Sequence, residues 1–179
     1  MLILAIDTAL DACAAGVLDT EAGKLIAQES QAMKRGHAEA LMPLIARVVE
    51  QSGIGWTTLR ATQFHDLILI VARALAKSPV IPAPPGFRFQ PVDVTEVAGQ
   101  MAELALGAPS GLVPDMAGPK IYTVPELVNA YLRAAGLRRR LVPLPIPGQA
   151  ARAIRAGANL APERAVGKRT WEEFLAGRI

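Results

Sequence analysis

Asp7 and Thr8 close the apolar run "LILAIDT". A strand that delivers a carboxylate and a hydroxyl to its end is one way to bring an acid to a phosphate or a metal-bound water. The same residues serve equally as a strand-end turn, and both readings stay open. His65, in "LRATQFHDL", is the only side chain after residue 50 whose ordinary pKa suits proton transfer near neutrality. A lone histidine behind a buried strand is also a common core residue, so it stands as a candidate catalytic group beside that plainer role. His37 has no second histidine one turn on, which favours a helix-start or surface role over a metal ligand. Cys13 is the only cysteine, so an internal disulfide and any Cys-rich zinc site are excluded. No metal site is expected.

These residues depend on the elements around them. "LILAI" is an unbroken apolar run, which predicts a central strand. "CAAGVLD" and "KLIAQES" predict two more strands, joined through "TEAGK", where Gly23 can take a positive φ. Strands so close in sequence favour an antiparallel meander. Leu41, Leu44, Ile45, Val48 and Val49 follow helical spacing over 37–51, with Pro43 near the start and Gly53 as the stop. Beyond that, "WTTLRA" predicts a short strand, 64–77 an apolar helix, "PVIPAPPG" a loop and "FRFQPV" a strand. Three helices are announced by capping boxes: Asp93 with Glu96, Thr123 with Glu126, and Thr170 with Glu173. Gly136 closes the second, and "RRLVPLP" returns as a strand. The alternation is that of α/β domains.

Composition places the chain among globular proteins: 51% of residues are apolar and 20% charged. The longest apolar run, "LILIVARALA", falls short of the roughly 20 residues that cross a bilayer. "MLILAIDTAL" lacks a basic leader and carries Asp7, so it does not read as a signal peptide. A single cysteine fits a reducing, cytoplasmic setting. Charge is uneven. Residues 1–50 hold four Lys/Arg against seven Asp/Glu, and residues 51–179 hold fifteen against nine. Thirteen of the 14 prolines follow Pro43. A shift of that size fits two sources or two domains. "LRRRL" is the only dense basic cluster and aromatics are 4%, so a solvated basic rim is favoured over a nucleic-acid surface.

Two resemblances divide the chain at the same place. "LAIDTALDACAAGVLD" resembles the first phosphate motif of the actin/Hsp70-like ATPase fold. With "KLIAQESQAMKRGHAEALMPLI", residues 1–52 resemble the N-terminus of the TsaB/YeaZ family. That family supplies a non-catalytic, dimerising subunit of the tRNA threonylcarbamoyladenosine machinery. Its "GPGSFTGLR"-like motif has no counterpart here, which leaves Asp7 and Thr8 as the remnant of a phosphate motif.

From about residue 50 onward, "SGIGWTTLRATQFHDL", "FQPVDVTEVAGQMAELAL", "DMAGPKIYTVPELVNAYLRAAG" and "GKRTWEEFL" are similar to NmrA-like, NAD(P)H-binding atypical short-chain dehydrogenases. The resemblance implies NAD(P) as cofactor. It would place Thr62, Gln63, Phe64 and His65 beside the nicotinamide, the first three binding the cofactor and His65 acting in catalysis. The Gly-rich turn of that family is absent. So is its Tyr-x-x-x-Lys pair, because Glu126 follows Tyr122 by four residues and Ala135 follows Tyr131. Both tyrosines are expected to pack.

The expected fold is thus a mixed α/β chimera. Residues 1–52 form an antiparallel β-β-β-α piece of actin/Hsp70-like type, joined to the C-terminal half of a Rossmann-like reductase domain over 53–179. The leading function is an NAD(P)-dependent oxidoreductase relative with weakened cofactor binding. The alternative is a scaffold that binds tRNA-modification subunits. No membrane partner is expected. A half-domain with open strand edges is expected to form a homo-oligomer.

Overall fold

A computed structural model describes residues 1–9 and 11–179. The chain forms two compact units: Met1–Trp56 with Pro109–Gly111, and Thr57–Ala108 with Leu112–Ile179.

In the first unit, β1 (Leu2–Asp7), β2 (Ala12–Asp19) and β3 (Lys24–Ala32) form a three-stranded antiparallel sheet in the order β1-β2-β3. The expected meander is present. Alternation along β2 sends Cys13, Ala15 and Val17 to one face, where they bury against Leu44 and Val48 of helix α1 (His37–Gln51). Their i, i+4 spacing puts both α1 residues on one helix face. Gly53 takes φ 69° just past the helix, the left-handed turn that lets the chain leave it. Arg47 reaches back to Glu29 of β3 through a bidentate ion pair at 2.6–3.1 Å.

Two expectations change here. "LILAI" is an edge strand and every residue of β1 is exposed, because nothing pairs its outer side among the described residues. Pro43 lies inside α1, where it cannot donate to the Glu39 carbonyl. The turn expected between Thr8 and Ala12 includes Leu10, which lies outside the described residues.

The second unit alternates short strands with helices. In chain order these are β4 (Thr57–Thr58), α2 (His65–Leu75), β5 (Val80–Ala83), β6 (Arg88–Phe89) and α3 (Val94–Leu106). There follow β7 (Gly111–Leu112), which starts at the boundary between the units, β8 (Tyr122–Thr123), α4 (Val124–Ala134), β9 (Arg140–Pro143), α5 (Gln149–Ala156) and α6 (Trp171–Ala176). β5 pairs with β9 in parallel and β6 with β8 antiparallel. The "PVIPAPPG" segment, expected as a loop, thus supplies a strand, since a proline at Pro82 is tolerated where only one side is paired. Leu69, Ala72 and Ile81 pack with Tyr122, Leu127, Tyr131, Trp171 and Phe174 in the principal core. Both tyrosines pack, as expected.

The capping boxes at Thr123/Glu126 and Thr170/Glu173 are both closed. At the third, Asp93 caps the Thr95 N–H at 2.8 Å, but Glu96 turns away. Its carboxylate instead accepts the backbone N–H groups of Lys168 and Arg169 at 3.0 and 3.1 Å. A tertiary partner has displaced the local one.

Candidate functional site

The stretch Ala61–His65 threads between two neighbouring segments of the second unit. On one side, Thr62 N–H donates to the Met116 carbonyl at 3.0 Å, and Met116 N–H donates to Arg60 at 2.8 Å. On the other, Val92 N–H donates to Gln63 at 2.9 Å and His65 N–H to Val92 at 3.1 Å. The main chain of 60–65 therefore behaves as an extended segment bonded on both sides even though its regular pairing is brief. It delivers four consecutive side chains, Thr62, Gln63, Phe64 and His65, to the start of α2.

Each of them is engaged. The Thr62 hydroxyl donates to the Gln90 carbonyl. The Gln63 amide donates to the Asn159 carbonyl at 3.1 Å, and its oxygen accepts the Gln90 N–H at 3.3 Å. Phe64 packs against Val92, Val97 and Met116. Gln90 is fully buried: its amide donates to Gly118 at 2.9 Å and its oxygen accepts the Ala161 N–H at 3.0 Å. Sequence reasoning missed Gln90 and Asn159 as the hub of this region. The available signal was one polar residue inside the alternating "FRFQPV", at a position facing inward.

His65 is completely buried, stacked on Phe174 at 5.0 Å and Trp171 at 5.9 Å between ring centroids. Neither ring nitrogen has a hydrogen-bond partner. Burial pushes its pKa down, with Asp93 opposing and Arg169 reinforcing the shift, and with Glu96 and Asp66 opposing more weakly.

Next to it, Asp93 receives the Arg169 guanidinium at 2.9 Å. Burial raises the Asp93 carboxyl, but hydrogen bonds from the Thr95 N–H and hydroxyl and from Arg169 outweigh it and hold the pKa at about 2. The Tyr122 hydroxyl donates to Glu172 at 2.6 Å and accepts the Trp171 N–H at 3.2 Å. Burial first, then that carboxylate, pushes its pKa well above the usual phenol value.

In the first unit, Asp7 ends β1 and accepts the N–H of Ala9 at 2.8 Å, an Asx turn, with Thr8 exposed beside it. His37 opens α1. Among the described residues no group of three or more His, Cys, Asp or Glu side chains could hold a metal ion.

No family model and no curated protein matches the chain. Solved structures do. A quinone oxidoreductase from Escherichia coli, described as NADPH-dependent, superposes with a TM-score of 0.60 at 15% identity over 79% of this chain and 61% of its own. A nucleoside-diphosphate-sugar epimerase from Staphylococcus aureus superposes at 0.54, with 14% identity over 78% of this chain and 58% of its own. Over most of its length, this chain shares their mixed α/β fold. A third structure, an NAD-dependent NDP-hexosamine 5,6-dehydratase involved in tunicamycin biosynthesis, gives 0.51 at 14% identity, over 83% and 54%. The chain thus spans little more than half the length of each. No helix among the described residues is long and apolar enough to cross a membrane.

A dinucleotide's pyrophosphate needs glycines that open the main chain toward a ligand at a helix start, and the Gly-rich turn that supplies them has no counterpart in the sequence. The tightest glycines of the second unit close on the chain itself. A Cβ at Gly118 would lie 1.7 Å from the Pro91 carbonyl oxygen, and one at Gly167 would lie 3.0 Å from that of Ala117. Gln63 also lines a groove between α2 and α4, with Leu67, Val71, Leu127 and Val128. At about 190 Å³ it is smaller than the roughly 300–1,000 Å³ of ligand sites.

Proposed function

We propose that this chain is a relative of NmrA-like NAD(P)-dependent oxidoreductases with little or no turnover of its own. One observation carries the reading. The side chains that the resemblance assigns to the cofactor and to proton transfer, Thr62, Gln63 and His65, are consumed by internal hydrogen bonds or an aromatic stack. What persists is the substrate-side scaffold of a reductase without its cofactor half. Titration calorimetry with NADH and with NADPH tests this. Heats at the level of dilution are expected for both, and a micromolar dissociation constant for either would refute the proposal.

A second reading concerns residues 1–52. We propose that they derive from a TsaB/YeaZ-type scaffold, fused to the reductase-like remainder. Support comes from a β-β-β-α unit that closes its own small core, and from the change in charge and proline content beyond it. Sequencing the surrounding DNA tests the fusion. The missing portion of either parent gene beside the coding region would point to a broken or joined gene. A scaffold role further requires co-elution with a tRNA-threonylcarbamoylating subunit in size exclusion, and separate elution would remove it.

A further inference from the structure

We infer that the first unit pairs with a second copy of this chain through the outer edge of β1, forming a continuous six-stranded antiparallel sheet about a two-fold axis at Leu4. The direction of the main chain supplies the argument. Thr20 N–H donates to the Met1 carbonyl at 3.0 Å, in the same register that sets Leu2 opposite Asp19 and Ile3 opposite Leu18. In an antiparallel ladder a residue turns its N–H and C=O the same way, and neighbours alternate. Ile3, Ala5 and Asp7 therefore face β2, whereas Leu2, Leu4 and Ile6 aim their N–H and C=O groups outward. β1 pairs only with β2 among the described residues, so that row is an open template.

The side chains select the partner. Leu2, Leu4 and Ile6 remain 49%, 43% and 49% exposed, and Ile3 37%. They are too apolar for an edge that stays in water, since such edges usually carry charge or proline. Antiparallel self-pairing with Leu4 on the axis sets Leu2 against Ile6 of the other copy. Every outward residue then meets an outward residue, giving about six main-chain hydrogen bonds.

Asp7 is the only ionised side chain of β1 and stands at its end. The two carboxylates thus fall at opposite ends of the new pairing, and no like charges face each other. Leu4 and Ile6 lie opposite Val17 and Ala15, on the face that α1 covers. The two-fold axis brings both copies of α1 to that same face, so the apolar side chains of the two edges meet between them. An unrelated strand would satisfy the hydrogen bonds but would not guarantee this match of apolar row to apolar row.

Leu4→Pro is the decisive variant, because it deletes an outward N–H and leaves the ladder to β2 intact. Light scattering after size exclusion at about 50 μM should give twice the 18.9 kDa chain mass for the unaltered protein. The variant should give the single chain mass with unchanged circular dichroism. A monomeric unaltered chain at about 100 μM, or a dimer that survives in the folded variant, overturns the inference. Should Leu4→Pro not fold, Leu4→Cys decides. Across the axis the two introduced thiols would sit on Cα atoms about 5.5 Å apart, within disulfide reach. Mild oxidation should then yield a covalent dimer that the unaltered chain, whose Cys13 is buried, does not form. Failure to cross-link overturns the pairing.

Discussion

Asp93 shows how much one carboxylate carries. Its pKa of about 2 lies below the ordinary 3.8, so the ionised form stabilises the folded state. That contribution is complete above pH 3.8 and is lost as pH falls through about 2; it amounts to about 2 kcal/mol. Asp93→Asn should therefore cost about 2–4 kcal/mol at neutral pH, since it also leaves Arg169 unpaired, and should flatten the acid limb of a urea-midpoint-versus-pH curve. An unchanged acid limb would mean the carboxylate is not paired in solution. His65 works the same way at higher pH. Its folded pKa is depressed, so its contribution is whole above about pH 6.5 and falls away as pH drops through the lower folded value. Two buried nitrogens without partners cost stability at every pH. His65→Phe should thus raise the urea midpoint, by the equivalent of about 1 kcal/mol, and remove the pH dependence near 6. A lower midpoint for the variant would show that the imidazole is satisfied, by water for instance.

At the scale of elements, the junction of Pro91 and Gly118 is the least forgiving. With 1.7 Å between a Cβ and the Pro91 oxygen, Gly118→Ala cannot be absorbed by a side-chain movement and requires two main-chain segments to part. The variant should lose cooperative unfolding of the second unit, seen as a collapsed near-ultraviolet signal from Trp171. A native spectrum would contradict the close approach. The helix stops at Gly53 and Gly136 and the boxes at Thr123 and Thr170 were legible in the sequence, because each is settled within a few residues. So was the meander of β1 to β3, whose turns are short. Illegible were the edge position of β1, the strand at Val80–Ala83 and the desertion of its box by Glu96. For the last two the partner lies far along the chain: for Val80 it is Arg140, and for Glu96 it is Lys168; β1 is an edge because nothing pairs its outer side among the described residues. Residues 62–65 lie together at the head of α2, while the hydrogen bonds that hold Thr62 and Gln63 come from distant segments. No local pattern announces that Gln90 and Asn159 will claim the same polar atoms.

Across the whole molecule, His65, the imidazole whose pKa burial lowers, lies in the second unit. Mild acid should therefore act unevenly. Hydrogen exchange, corrected for intrinsic rates, should show amides of α2 and α4 losing protection between pH 7 and pH 5. Those of β2 and β3 should hold theirs. A uniform loss would mean that the units open as one body.

The buried Gln90 amide has a consequence for how the protein is made. It joins Gly118, 28 residues ahead, to Ala161, 71 residues ahead, while Gln63 reaches 96 residues to Asn159. None of these bonds exists until the later residue has left the ribosome, whereas every contact of the β1 to β3 meander is available early. During synthesis the first unit can fold while the second remains an open polymer with its apolar α2 in solvent. Throughout that interval its apolar face lacks the packing that later covers it.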